Sequence, residues 1–267
     1  MPEAPEVQTV LSTLQKQIKN EKIEEVEIYY PKIVEEGNVA KLINETFKEF
    51  KRIGKYLIFR MDHYDFIVHL RMEGKFYIFD EKKKDKHIHA LFKMSSGRYL
   101  CYHDTRKFGR MYIYDKKDPI SSYPCFKNVG IDFLEADPDF FYAKIHASKR
   151  TIKQALLDQS IVAGIGNIYA DEICFACKID PRTKCYRISK KDCQQIIMHT
   201  KRILNGAIRF GGTTIRSYTS SLGVTGRFQL HLKVHQQDEC KECGTKIKKI
   251  AIAQRGTYLC PSCQKRK

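Results

Sequence analysis

Nowhere in this sequence do about eighteen apolar residues follow one another, so it offers no candidate transmembrane helix. It also lacks the basic, apolar and small-residue succession of a secretory signal, because charges break the first apolar stretch throughout. Without an oxidising destination, the ten cysteines read as thiols and metal ligands rather than as a disulfide framework. No internal repeat is present, which excludes a solenoid. The one low-complexity tract, Lys82-Lys83-Lys84, is expected to be a solvated turn. Negative charge is the scarcer sign: 31 Asp+Glu stand against 48 Lys+Arg, a formal net charge of +17. Such a surplus favours a polyanionic partner, either nucleic acid or an acidic membrane surface. These absences together predict a soluble cytoplasmic protein, and 267 residues suffice for one large or two modest domains.

Periodicity divides the chain. Val7, Val10, Leu11, Leu14 and Ile18 recur at helical spacing, predicting an amphipathic helix from Pro5 to Ile18. Between Tyr56 and Tyr114 the texture changes to short runs rich in Tyr, Phe, Ile and Val. Tyr56 to Arg60, Phe66 to Met72, Phe76 to Phe79, His87 to Met94 and Gly109 to Tyr114 predict an antiparallel sandwich or barrel. The stretch 116–136 has no sustained period and reads as a linker after a first domain at 1–115. Helical spacing returns over Asp137 to His146, Lys149 to Gln159, Asn167 to Cys177 and Ser189 to Phe210. A Gly-rich segment from Gly211 to Arg227 closes this second domain, 137–227, and reads as a functional loop.

Residues 228–267 form a third unit with a metal signature. Cys240 and Cys243 precede Cys260 and Cys263 by sixteen residues, the spacing of a zinc ribbon with two knuckles gripping one tetrahedral ion. Lys246 to Ala253 and Thr257 to Leu259 are the expected hairpin strands, with Gln254-Arg255-Gly256 at the tip. Nine Lys+Arg against three Asp+Glu in this segment suggest that it faces phosphate. Cys174 and Cys177 mimic a knuckle inside a helical pattern without a second pair, and read as packing residues. At the other end, Met1-Pro2-Glu3 becomes a nucleophilic secondary amine beside a carboxylic acid once Met1 is removed. Many chains begin Met-Pro for no catalytic reason, so that pair needs partners elsewhere.

Those partners are recognisable. Pro2-Glu3-Ala4-Pro5-Glu6-Val7, His69-Leu70-Arg71-Met72-Glu73-Gly74, Asp104-Thr105-Arg106-Lys107-Phe108-Gly109, Gly164-Ile165-Gly166-Asn167-Ile168-Tyr169-Ala170-Asp171-Glu172 and the ribbon with Gln254-Arg255-Gly256-Thr257 stand in register. Together they resemble the formamidopyrimidine-DNA glycosylases from the first residue to the last cysteine pair. The resemblance implies an α+β chain: an N-terminal β-sandwich with its opening helix, a helix-two-turn-helix bundle and a zinc ribbon, with double-stranded DNA in the cleft between the domains. It further implies a monomeric bacterial enzyme, associated with the nucleoid through DNA binding, that excises oxidised purines and cleaves the abasic strand by β,δ-elimination. By resemblance, Pro2, Glu3, Lys55 and Arg255 belong to the catalytic centre. His69, Met72, Arg106, Phe108, Asn167 and Lys249 contact DNA, and Cys240, Cys243, Cys260 and Cys263 hold one structural Zn2+.

Each assignment has a plainer competitor. Met72 and Phe108 can be packing residues and Arg106 a surface charge. Asn167 can be a helix cap, His69 a packed strand residue and Glu6 a first-turn acid. Lys153 and Glu73 are weak candidates for base contacts. The chain departs from the family at His235-Gln236-Gln237, where Tyr-Gly-Arg is usual, so a phosphate contact there is either weakened or made by His235. A relative of the endonuclease VIII type and a non-catalytic nucleic-acid-binding protein are the competing classes. An exposed N-terminal proline beside an acid, of no use to a binding module, separates the last of these.

Overall fold

A computed structural model describes residues 1–213 and 226–267. The chain forms two units, one of Met1–Lys127 with the described residues of Gly211–Gly226, the other of Asn128–Phe210 with Arg227–Lys267.

In the first unit, helix α1 (Ala4–Ile18) buries the apolar face set by its spacing: Val7, Val10, Leu11, Leu14 and Ile18 are almost wholly inaccessible. Each side chain removed from water in this way stabilises the fold by about 1.5–3 kcal/mol before conformational entropy is counted. The helix packs on the strands Glu49–Ile53 and Tyr56–Arg60. Nine strands follow in chain order: β1 (Ile23–Ile28), β2 (Val34–Glu36), β3 (Glu49–Ile53), β4 (Tyr56–Arg60), β5 (Tyr64–His69), β6 (Lys75–Phe79), β7 (Ile88–Met94), β8 (Tyr99–His103) and β9 (Arg110–Asp115). They form a four-stranded sheet, β1-β7-β8-β6, and a five-stranded sheet, β2-β9-β5-β4-β3. Phe59, Phe66, Val68 and Met111 of one sheet share a buried core with Phe76, Phe92, Leu100 and Tyr102 of the other. That interdigitation makes the pair a sandwich.

Two expected boundaries change. The run Phe66 to Met72 was expected to be strand throughout, but β5 ends at His69, and Arg71 takes a left-handed φ of 53°. Met72 therefore sits in a turn, not at a strand end. The expected linker is also ordered in its first half. Tyr123 donates its hydroxyl to the buried Asp65 carboxylate at 2.8 Å, and Phe126 packs edge-on against Tyr56 at 5.1 Å, which holds this stretch on the sandwich.

The second unit opens with β10 (Ile131–Asp132), which pairs with β11 (Val162–Ala163) in parallel. Its helices are α2 (Pro138–Ile145), α3 (Ile152–Leu157), α4 (Asn167–Ala176) and α5 (Lys190–Arg209). Asp137 caps α2, and capping boxes led by Thr151 and Ser189 start α3 and α5. The closing hairpin pairs β12 (Lys248–Ile252) with β13 (Arg255–Leu259). Ala253 and Gln254 form its turn with φ of 47° and 61°, the primed geometry that two-residue hairpins favour. Arg255 is thus the first residue of β13 and not the loop tip. Among the described residues, no helix is long and apolar enough to cross a membrane.

Candidate functional site

The chain start is tied down by carboxylates. Pro2 and Glu3 are buried at the entry to α1. The Glu3 backbone N–H donates to Glu6 Oε2 at 2.9 Å, one half of a reciprocal capping box. Glu6 Oε1 accepts from the Thr213 backbone N–H at 2.7 Å. Gly212 makes this possible: its φ is +79°, and a Cβ there would come within 2.9 Å of Glu6 Oε1. Glu6 is therefore more than a first-turn acid, since it joins the start of α1 to the segment that begins at Gly211. Residues 214–225, most of the expected loop, lie outside the described residues.

Around that start the electrostatics are specific. Burial pulls the Met1 α-amino group below its ordinary value; Glu3, Glu6 and Glu73 oppose the shift, and Lys55 adds to it. Lys55 is almost fully buried in the turn between β3 and β4. His69, at the end of β5, feels the same lysine. Burial, helped by Arg71 and Lys55, pushes its imidazole down to about 3. Its Nδ1 accepts from the Arg71 backbone N–H at 3.0 Å, which leaves Nε2 as the protonated nitrogen. His69 is thus a neutral donor and not a cation at physiological pH.

Two turns carry Met72, Arg106 and Phe108. Asp104 is fully buried and accepts three backbone N–H groups: Arg106 at 2.9 Å on Oδ1, Phe108 at 3.0 Å and Gly109 at 2.9 Å on Oδ2. A carboxylate with three donors folds the turn tightly, and Lys107 at its crest takes a left-handed φ of 59°. Phe108 is consequently held outward, 47% exposed, with the Arg106 guanidinium 4.7 Å over its ring. An aromatic ring kept in water by a built turn argues against simple packing. The partner turn holds Met72, half-buried, and Glu73, whose carboxylate accepts the Thr105 hydroxyl.

In the second unit the sequence-selected residues meet at the hairpin. Asn167 starts α4 and donates Nδ2 to the Gly256 carbonyl at 2.9 Å, adjoining Arg255. Lys153, fully buried, donates to Asp171 Oδ1 at 2.7 Å, to Thr257 Oγ1 at 2.8 Å and to the Gly256 carbonyl at 3.2 Å. Asp171 Oδ2 takes His235 Nδ1 at 2.7 Å and the Tyr258 N–H at 3.2 Å. Glu172 accepts the backbone N–H groups of Lys233, Val234 and His235, each at 2.9 Å, and burial pushes its carboxyl up. Lys153 and His235 are thus spent on a buried network that seats the hairpin against α3 and α4. Arg255 and Lys249 remain exposed on that hairpin, with the Lys249 ammonium 5.7 Å over the Tyr258 ring. Lys153, Asp171 and Glu172 were the residues sequence reasoning undervalued; an apolar-flanked Asp-Glu pair inside a helix was the available signal.

The four ribbon cysteines place their sulfurs within 4.8 Å of one another. Cys240 and Cys263 are 3.8 Å apart and Cys243 and Cys260 3.5 Å, close to the roughly 3.8 Å that Zn–S bonds of about 2.3 Å impose on a tetrahedron. The donor set and spacing fit zinc. Cys174 and Cys177 lie at the end of α4 and take no part in this cluster.

Comparison with known proteins agrees with this layout. Three family profiles match in order: the formamidopyrimidine-DNA glycosylase N-terminal domain over residues 1–111, its H2TH domain over 131–219, and the zinc finger found in FPG and IleRS over 238–266. The formamidopyrimidine-DNA glycosylase of Bacillus subtilis is 40% identical with all of both chains covered, and that of Streptococcus mutans is 40% identical over 99% of this chain and all of the relative. Among solved structures, a Lactococcus lactis FPG mutant in complex with Fapy-dG-containing DNA is 36% identical and superposes with a TM-score of 0.91 over 99% of this chain and all of that one. The Lactococcus lactis Fpg complex with abasic-site DNA is 36% identical, with the same coverage and a TM-score of 0.89.

Proposed function

This chain belongs to the formamidopyrimidine-DNA glycosylase family, and from that premise we propose that the amine of Pro2, freed by removal of Met1, attacks C1′ of an oxidised purine nucleoside. The protein is a DNA glycosylase with AP-lyase activity that removes oxidised and ring-opened purines from duplex DNA. The observation that carries the residue assignment is the burial of Pro2 and Glu3 where Glu6, Glu73 and Lys55 all act on the terminal amino group.

A secondary amine suits the chemistry. As the Pro2 nitrogen bonds to C1′ and the base departs, Glu3 protonates the opening sugar ring. The resulting iminium cannot lose a proton from nitrogen, so it keeps its positive charge and draws electrons from the C2′–H bond. Loss of that proton expels the 3′-phosphate, and a second elimination expels the 5′-phosphate. Desolvation and the Lys55 cation, which lower the Met1 amino group, would equally favour a neutral, nucleophilic Pro2.

The extruded base leaves a gap in the stack. Met72 and Phe108 fill it as wedges, while Arg106 hydrogen-bonds to the orphaned partner base. Lys55, His69, Asn167, Lys249 and Arg255 engage phosphates, His69 through its neutral Nε2–H. In this reading residues 1–115 carry the chemistry, 137–227 the helix-two-turn-helix and the loop that meets the base, and 228–267 the zinc-held phosphate contact. The enzyme works as a monomer in the bacterial cytoplasm.

Borohydride trapping on a duplex containing 8-oxoguanine opposite cytosine tests the assignment. A chain beginning at Pro2 is expected to form a covalent complex, and one retaining Met1 to bind without trapping. Glu3→Gln should lose base excision while still trapping on a preformed abasic site. A Glu3→Gln protein with intact excision would overturn the role of Glu3.

A further inference from the structure

A cavity of about 610 Å³ on the first unit falls outside all of these roles. Tyr29 and Tyr30, just after β1, form one side; Lys84 and Lys86, from the loop between β6 and β7, line another; Lys107 closes it from the crest of the wedge turn. The tract expected to be a solvated turn is therefore the rim of a pocket.

Its charges are unevenly spent. Glu27 is taken up by Lys82 at 2.6 Å and by the Tyr29 hydroxyl at 2.8 Å. Asp85 accepts the His87 backbone N–H at 2.7 Å and faces His103 at 3.9 Å. Lys84, Lys86 and Lys107 have no carboxylate within ion-pair distance among the described residues. The Lys107 ammonium instead stands 4.9 Å over the Tyr30 ring. Tyr30 in turn packs on His89, whose Nε2 bonds to the Asp104 carbonyl at 2.7 Å, so the aromatic wall is anchored to the wedge turn itself. Unpaired ammonium groups beside a flat apolar wall match a chain that alternates phosphate with deoxyribose.

The turn decides which strand. Lys107 stands between Arg106 and Phe108 in sequence, yet Arg106 covers the Phe108 ring while Lys107 covers Tyr30. One turn thus addresses two neighbouring places. We infer that this cavity grips the sugar–phosphate backbone of the strand opposite the lesion, with Lys84, Lys86 and Lys107 on phosphate oxygens and Tyr30 against a deoxyribose. The inference rests on the reading that Arg106 and Phe108 meet the orphaned base.

The test compares the full chain with a Lys84→Gln/Lys86→Gln variant, both positions being exposed and outside the core. Binding to a lesion duplex is followed against salt, and the logarithmic slope should be shallower in the variant by about 1.8, the release from two phosphates. A neutral methylphosphonate next to the orphaned base should weaken wild-type binding more than it weakens the variant, in which Lys107 alone of the three ammonium groups remains. The same change in the lesion strand should weaken both alike. An unchanged slope, or sensitivity confined to the lesion strand, overturns the inference. So does a variant that loses deoxyadenosine monophosphate with its duplex slope intact, which would mark a mononucleotide site. Borohydride trapping of the wild type on the same duplex reports separately on the catalytic reading.

Discussion

The Tyr102 hydroxyl occupies the space beside Gly109 so fully that a Cβ at Gly109 would lie 1.6 Å from it, and one at Gly74 2.3 Å. A single fully buried phenol thus fixes both turns that carry Met72 and Phe108. Gly109→Ala should force those turns apart and destabilise the protein by about 1–3 kcal/mol, the range for overpacking. Tyr102→Phe in the same chain should recover part of the loss and no more, because the ring Cζ would still be 2.7 Å from the new methyl. Urea unfolding of the two single variants and the double variant gives the coupling; simple additivity would sink this account.

Asp104 organises the same turn electrostatically. Asp104→Ala removes three charge-assisted acceptor contacts, and Arg106 and Phe108 lose their fixed position. Single-turnover excision of 8-oxoguanine from a duplex should fall about a hundredfold, the scale of a misplacement near 1 Å. Nicking of a preformed abasic site should fall much less, since base extrusion is already complete there. Equal losses on both substrates would mean that the turn supports the fold and not the extrusion step.

How much of this was legible beforehand differs by scale. The metal ligands follow from spacing alone, and α1 from its apolar period. Strands β1 and β3 were missed because both are edge strands with charged, exposed positions, as in Ile23-Glu24-Glu25-Val26-Glu27-Ile28. Their identity comes from pairing, which local pattern does not record. The apolar run to Met72 overshot because Arg71 adopts a left-handed conformation that its residue type does not advertise. The candidate site residues were proposed only through the ordered motifs. The contacts that position them, Glu6 to Thr213 and Lys153 to Thr257, join residues 207 and 104 positions apart.

His69 ties acid sensitivity to the site. Its folded value, about 3, lies below the ordinary 6.5, so protonation favours the unfolded chain. The contribution is complete above pH 6.5 and is lost as pH falls toward 3. Between pH 7 and pH 5 it should amount to about 2 kcal/mol of lost stability. Measured by urea midpoints, His69→Gln should be less stable than wild type at pH 7 yet show a smaller drop over that interval. Parallel pH profiles for the two proteins would exclude His69 as the source.

The hairpin that presents Arg255 and Lys249 depends on two supports, the zinc site and the buried Lys153 network. Zinc binding holds a small cluster of Phe175, Val234, Ile247 and the cysteines together, too few residues to fold unaided. Lys153 meets it through Gly256 and Thr257, the residues next to Arg255. Lys153→Met preserves bulk but leaves the fully buried Asp171 short of one cation, a loss of about 3–5 kcal/mol for a broken buried pair. His235 remains on the other carboxylate oxygen and should hold the cost to the lower end. Because zinc still binds, the hairpin stays folded but is less firmly seated. The variant should therefore retain zinc by metal analysis, bind duplex DNA more weakly and show faster amide exchange at Gly256 and Thr257. A chelator should abolish the metal, the duplex affinity and the amide protection together, whereas Lys153→Met spares the first and diminishes the other two. A Lys153→Met protein that bound DNA as tightly as wild type would show that the network serves stability alone.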